Sequence, residues 1–245
     1  LDTIPTPSLS LNPSEHLGTL QPSVAPYGQP PSTPFPAWLQ GQIIPVIRSQ
    51  TPEAALWIAN TLLQAGATTL EFTLTTPDVW QVYSTFKQQC QQHNTRCYVG
   101  MGSIKTRQQL ESCIDTGVAF TAAPGYIPYA YHVAATAQHC HLGGAITPSE
   151  LNQVVSEGGQ YVKLFPVVPM GGVSYFKTVA SPFPELTLIP FGGILPNEVS
   201  RYQQAGAKAV GLGNQLMPNP AWVTNNQQEA YLQFLQKTHL FTPKA

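Results

Sequence analysis

The sequence predicts an α/β fold: a (β/α)8 TIM barrel over 38–245, preceded by a proline-rich, disordered extension over 1–37. Three features lead there. Short β-rich runs alternate with helical patterns eight times after residue 38. A proline step opens several of the helices and a glycine closes them. The length, 245 residues, is one at which such barrels close as a single unit.

In chain order, residues 1–37 hold repeated prolines, from Pro5 to Pro36, among Ser, Thr, Gln and Gly, with no apolar period. That composition favours solvated extended chain over a packed core. A proline-rich ligand for a partner is the alternative, and it lacks a basic flanking residue. Strands read at 43–47, 69–74, 97–100, 119–122, 142–146, 161–165, 186–190 and 209–213. Thr51-Pro52, Thr76-Pro77, Thr147-Pro148 and Leu195-Pro196 read as helix openings, because proline at the first helical position gives up an amide that has no partner anyway. Thr147 and Glu150 form a capping box by spacing. Gly66, Gly117, Gly158 and Gly206 read as helix ends. Strict alternation implies a parallel sheet buried on both faces. An open doubly wound sheet is the competing fold, but no Gly-x-Gly-x-x-Gly follows the first strand.

Composition narrows the function. Charged residues make up 9%, against the roughly 25% usual for globular proteins, so each ionisable side chain in an apolar setting stands out. A net charge of −1 without a basic run offers no footprint for nucleic acid or an anionic membrane. No apolar run approaches a membrane span and no basic-then-apolar leader is visible, which predicts a soluble cytoplasmic protein. Cys90, Cys97, Cys113 and Cys140 form no Cys-x-x-Cys and read as reduced, partly buried thiols. His139-Cys140-His141, with His132 nearby, is the densest ligand-like cluster. Read as helix, its adjacent positions point apart and do not converge on a metal.

Within Gly159–Pro169, GQYVKLFPVVP, a lysine stands in a run that otherwise reads as a buried strand. Burying an ammonium without a partner costs several kcal/mol or more. Strand alternation puts Tyr161, Lys163 and Phe165 on one face, and Glu71, Thr73 and Thr75 together on the lumen side of the second strand. One amine and one carboxylate thus share the barrel interior. A structural ion pair is one explanation, though such pairs often stabilise no better than apolar residues of similar volume. The other is chemistry: a desolvated lysine can attack a carbonyl to form a Schiff base, with a carboxylate moving protons beside it. Arg48 ends the first strand at the same mouth and suits a carboxylate or phosphate. Gly192-Gly193 and Gly211-Leu212-Gly213-Asn214 follow the last two strands, where barrels often bind phosphate on backbone amides.

Together, Pro45-Val46-Ile47-Arg48, Leu70-Glu71-Phe72-Thr73-Leu74, Val99-Gly100-Met101-Gly102-Ser103, Ala123-Pro124-Gly125, Val162-Lys163-Leu164-Phe165-Pro166 with Gly171-Gly172, and Pro190-Phe191-Gly192-Gly193-Ile194 resemble the 2-keto-3-deoxy-6-phosphogluconate (KDPG) and 2-keto-4-hydroxyglutarate (KHG) aldolase family. The likeness runs in order from about 43 to 218. It implies a metal-independent aldehyde-lyase without cofactor, typically a homotrimer, that cleaves a 2-keto-4-hydroxy acid to pyruvate and an aldehyde. By the same resemblance Lys163 is the Schiff-base lysine and Glu71 the general acid/base. Ser103 stands where the family usually has a threonine near the pyruvate, Pro124 lines that pocket, and Phe165 packs beside the lysine.

The departures fall on the substrate anchors. Thr75 replaces a family arginine that holds the pyruvate carboxylate, Phe191 replaces a threonine, and Asn214 stands near a usual phosphate-binding serine. Neutral Thr75 makes no bidentate pair with a carboxylate. Two readings compete with a working aldolase: an aldolase-derived binding protein with lost or altered activity, and a phosphate-binding barrel of other chemistry.

Overall fold

The computed structural model describes residues 35–241. Most of the proline-rich extension therefore lies outside the described residues. Its last positions are within them: Phe35 packs edge-on against Tyr161 with ring centroids 5.4 Å apart, and a 3-10 turn spans Ala37–Leu39.

Eight strands follow: β1 (Ile43–Ile47), β2 (Thr69–Thr73), β3 (Tyr98–Gly102), β4 (Phe120–Ala122), β5 (Cys140–Ala145), β6 (Tyr161–Leu164), β7 (Thr187–Pro190) and β8 (Val210–Leu212). All seven ladders are parallel, in the order β7-β6-β5-β4-β3-β2-β1-β8, so β1 closes onto β8. No ladder joins β7 to β8, and the barrel is nearly rather than fully closed. Each predicted strand coincides with an observed one to within two residues at either end. Nine helices among the described residues surround them: α1 (Pro52–Gln64), α2 (Val79–Gln92), α3 (Arg107–Thr116), α4 (Ala130–Thr136), α5 (Pro148–Ser156), α6 (Gly172–Ala180), α7 (Val199–Gln204), α8 (Pro220–Thr224) and α9 (Gln228–Thr238).

The punctuation works largely as expected. Pro52 and Pro148 occupy first helical positions, and the Thr147–Glu150 capping box is formed on both sides. Pro196 opens a 3-10 turn that leads into α7. Pro77 differs. It lies in a turn, and α2 begins two residues later behind Asp78, whose left-handed backbone delays the helix. Thr76 is meanwhile tied to the segment just after β1, accepting the Ser49 N–H at 3.3 Å.

Two cores result. The larger lies between sheet and helices and includes Leu70, Phe72 and Phe86, the last two meeting edge-on at 5.8 Å. The smaller fills the N-terminal half of the lumen with Leu39, Ile44, Phe120, Leu142, Tyr161 and Ile189. Burying each large apolar side chain contributes roughly 1.5–3 kcal/mol, so the lumen is a packed plug below the catalytic end, not a channel. No described helix is long and apolar enough to cross a membrane.

His139, Cys140 and His141 correct the helical reading. His139 stands just before β5 and Cys140 and His141 open it, and alternate residues of extended chain share a face. His139 Nε2 and His141 Nδ1 both meet the Thr121 hydroxyl, at 3.1 and 2.9 Å. Among the described residues, no group of three or more His, Cys, Asp or Glu is placed to hold a metal. The four cysteines are unpaired.

Candidate active site

Strand register decides what faces what at the C-terminal end. In β2, Glu71 pairs across to Gly100 and Thr73 to Gly102, while in β6 Lys163 lies between Gly144 of β5 and Ile189 of β7. The neighbours on two sides are glycines, which leaves room for long side chains to meet across the lumen. A Cβ on Gly102 would stand 1.9 Å from Glu71 Oε1, so the carboxyl group lies directly over that glycine. On Gly144 it would stand 2.3 Å from the Gly125 amide nitrogen, because the β4–α4 loop carrying Pro124 crosses there.

Across this space Lys163 Nζ lies 3.3 Å from Glu71 Oε1. Both side chains are buried, with relative exposures of 6% and 0% for the two residues. Desolvation raises the Glu71 carboxyl above its usual range, opposed by the lysine charge, the hydrogen bond from Lys163 and the more distant Arg48. Its second oxygen, Oε2, has no hydrogen-bond partner in the protein. Beneath the amine lies an aromatic wall: Nζ is 4.3 Å from the Phe191 ring centroid and 5.8 Å from that of Phe165. Phe191 fits because Gly211 faces it; a Cβ there would stand 1.9 Å from the ring.

The pair opens into a cleft of about 440 Å³. Arg48, Thr75, Ser103, Pro124, Phe165, Gly192, Gly193 and Gly213 all line it with Lys163 and Glu71, so every site residue expected from the sequence comes to one place. The strand ends are tied together here by threonines. Thr73 Oγ1 donates to the Ile47 carbonyl at 3.4 Å and lies 3.0 Å from Thr75 Oγ1, while Thr76 accepts the Ser49 N–H. The residues on both sides of Arg48 are thereby fixed.

Thr73, read from the sequence as luminal, lines the cleft as well, and five further lining residues were not expected as contacts: Val46, Lys105, Phe191, Asn214 and Gln215. Val46 has luminal parity with Ile44, and Phe191 and Asn214 already stood out as departures. Lys105 is different. Ser103 adopts a left-handed backbone, φ 63°, which breaks the strand alternation just after β3 and redirects the chain toward the mouth.

The family model for KDPG and KHG aldolases matches residues 37–233. The chain belongs to the KDPG and KHG aldolase family. A probable 2-dehydro-3-deoxy-6-phosphogalactonate aldolase of Rhizobium meliloti is 26% identical over 180 residues, covering 73% of this chain and 82% of that protein. The KHG/KDPG aldolase of Escherichia coli K12 is 28% identical over 162 residues, covering 66% and 74%. Among solved structures, a Legionella pneumophila KDPG aldolase with pyruvate captured as a covalent carbinolamine superimposes with a TM-score of 0.72 at 23% identity, over 82% of this chain and 95% of that one.

Proposed function

We propose that this aldolase-family chain cleaves a 2-keto-4-hydroxy acid, KDPG, 4-hydroxy-2-oxoglutarate or a close analogue, to pyruvate and an aldehyde through a Schiff base on Lys163. The reading rests above all on the buried amine 3.3 Å from a buried carboxyl group at the floor of an open cleft. The carbinolamine captured in the Legionella relative is the same first intermediate in a protein of the same fold.

The steps follow from the placement. The unprotonated Nζ attacks the C2 carbonyl, and the carbinolamine loses water to give an iminium. Glu71 supplies the proton that lets hydroxide leave as water, a task suited to a carboxyl held above its usual range by burial. As carboxylate it then takes the proton of the C4 hydroxyl, directly or through a water. The C3–C4 electron pair flows into the iminium, the aldehyde departs, and an enamine remains. Protonation at C3 and hydrolysis release pyruvate and restore the amine. The ring face of Phe191 favours positive charge on nitrogen during the iminium stage. Pro124, Phe165 and Phe191 give the keto acid's carbon skeleton an apolar lining. Gly192, Gly193 and Gly213 offer a distal anionic group close backbone approach on the opposite side.

Borohydride reduction in the presence of pyruvate tests this reading. A covalent adduct mapped to Lys163 by peptide mass is the expected result; no adduct at millimolar pyruvate would favour a binding protein that has lost turnover. A cytoplasmic homotrimer belongs to the same proposal, and sedimentation of the purified chain at several concentrations checks the assembly.

A further inference from the structure

The cleft is unevenly charged. Its ionisable lining consists of Arg48, Lys105, Lys163 and Glu71, and Glu71 is already engaged by Lys163. Arg48 and Lys105 form no ion pair among the described residues. They stand after β1 and β3, on either side of the Thr73–Thr75 hydroxyl pair that ends β2. The side of the mouth after β7 and β8 carries Phe191, glycines, Asn214 and Gln215, and no charge.

The backbone of Lys105 is also held in place. Its backbone N–H donates to Gln109 Oε1 at 2.8 Å, and Thr106, the next residue, caps α3 by accepting the Gln109 N–H at 3.2 Å. The lysine therefore leaves the chain at the start of a ten-residue helix, whose positive end adds to its own charge. A 2-keto acid bound at Lys163 must place its C1 carboxylate one bond from the reacting carbon, and Thr75 brings no charge to meet it.

We propose that Lys105, acting with Arg48, is a specificity-determining residue that holds the substrate's C1 carboxylate over the Thr73–Thr75 hydroxyls. This rests on the aldolase reading. It predicts selectivity for keto acids over neutral ketones carried by a residue outside the barrel strands.

The test compares pyruvate with methyl pyruvate, the uncharged ester, in borohydride trapping on the wild type, Lys105→Met and Lys105→Arg. Lys105 is solvent-exposed, so both variants fold, and unchanged melting confirms it. With Lys105→Met, half-saturation for pyruvate rises on the order of 10-fold or more, as for loss of a charge-assisted hydrogen bond. The trapping rate at saturation stays near that of the wild type, the ester is unaffected, and Lys105→Arg retains most of the pyruvate preference. Equal effects on acid and ester, no effect on either, or an effect confined to the full-length keto acid overturn the assignment while the wild-type adduct leaves the aldolase reading intact. Absence of any wild-type adduct overturns both.

Discussion

The two ends of the barrel bury ionisable groups in opposite ways. At the C-terminal mouth Lys163 and Glu71 form a pair of opposite charges at the floor of a cleft of about 440 Å³. Toward the N-terminal end His139 and His141 share one threonine hydroxyl beside a crevice of about 30 Å³. A larger hollow of about 360 Å³ at the foot, lined in part by Trp38, His139 and Tyr161, has no lysine, arginine or acid among its described lining residues. Burial pushes both imidazoles down, His139 to about 4 and His141 to about 3, so both are neutral near pH 7; the hydroxyl meets one nitrogen of each, and His141 Nε2 has no partner among the described residues. A neutral donor–acceptor set is inexpensive to bury when hydrogen-bonded; an ion pair is not. The buried pair that carries opposite charges thus sits where a substrate enters, and the buried pair at the foot is neutral.

The largest expected effect breaks this contrast outright. Replacing the pair together, Lys163→Met with Glu71→Leu, abolishes pyruvate trapping and turnover. It should leave folding stability unchanged or raised by about 1–4 kcal/mol, as when other buried ion pairs give way to apolar residues of similar volume. Chemical denaturation alongside a pyruvate-release assay reads both quantities. A marked loss of stability would mean that the pair exists to hold the barrel together. Glu71→Gln comes next. It keeps the size and one hydrogen bond but removes proton transfer, so kcat falls by roughly 10²–10⁴-fold with little change in KM. Steady-state kinetics that showed KM alone rising would reassign Glu71 to binding.

Much of this site was legible because strand parity is rigid. Once β2 and β6 were read as strands, Glu71 and Lys163 had to face the lumen, and the structure puts them 3.3 Å apart. Thr73 and Thr75 followed from the same alternation, and Gly192, Gly193 and Gly213 from their place after the last two strands. Lys105 was hidden because alternation stops at Ser103, where a left-handed residue turns the chain, and nothing about serine in sequence announces a positive φ. The histidines were misassigned to a helix for a related reason. The run before β5 carries alanines from the end of α4, and three consecutive polar or sulfur-bearing residues give no period to tell where helix stops. The partnership of His139 and His141 with Thr121, 18 and 20 positions back, is a product of parallel pairing between β4 and β5.

The smallest effect sharpens the comparison through pH, because the two ends pull stability in opposite directions. Glu71 has a raised folded pKa, so the native state binds more protons than the unfolded chain above pH 4.5, and its contribution is lost as pH rises through that window. His141 has a lowered one, so between 6.5 and about 3 the unfolded chain binds the extra proton, and stability is lost as pH falls. With His141 2% exposed, it alone removes at most about 1.4 kcal/mol per pH unit within that range, or roughly 1.5 kcal/mol between pH 6.5 and pH 5, where the unfolded imidazole is only part-protonated at the start. His141→Gln retains a partner for Thr121 but cannot titrate. Urea denaturation at pH 7, 6 and 5 should therefore show a shallower acid-side decline for that variant, with the residual slope coming from His139, and no change in pyruvate trapping at any of the three. Parallel declines in the variant and the wild type would mean that the foot of the barrel opens to protons before it unfolds.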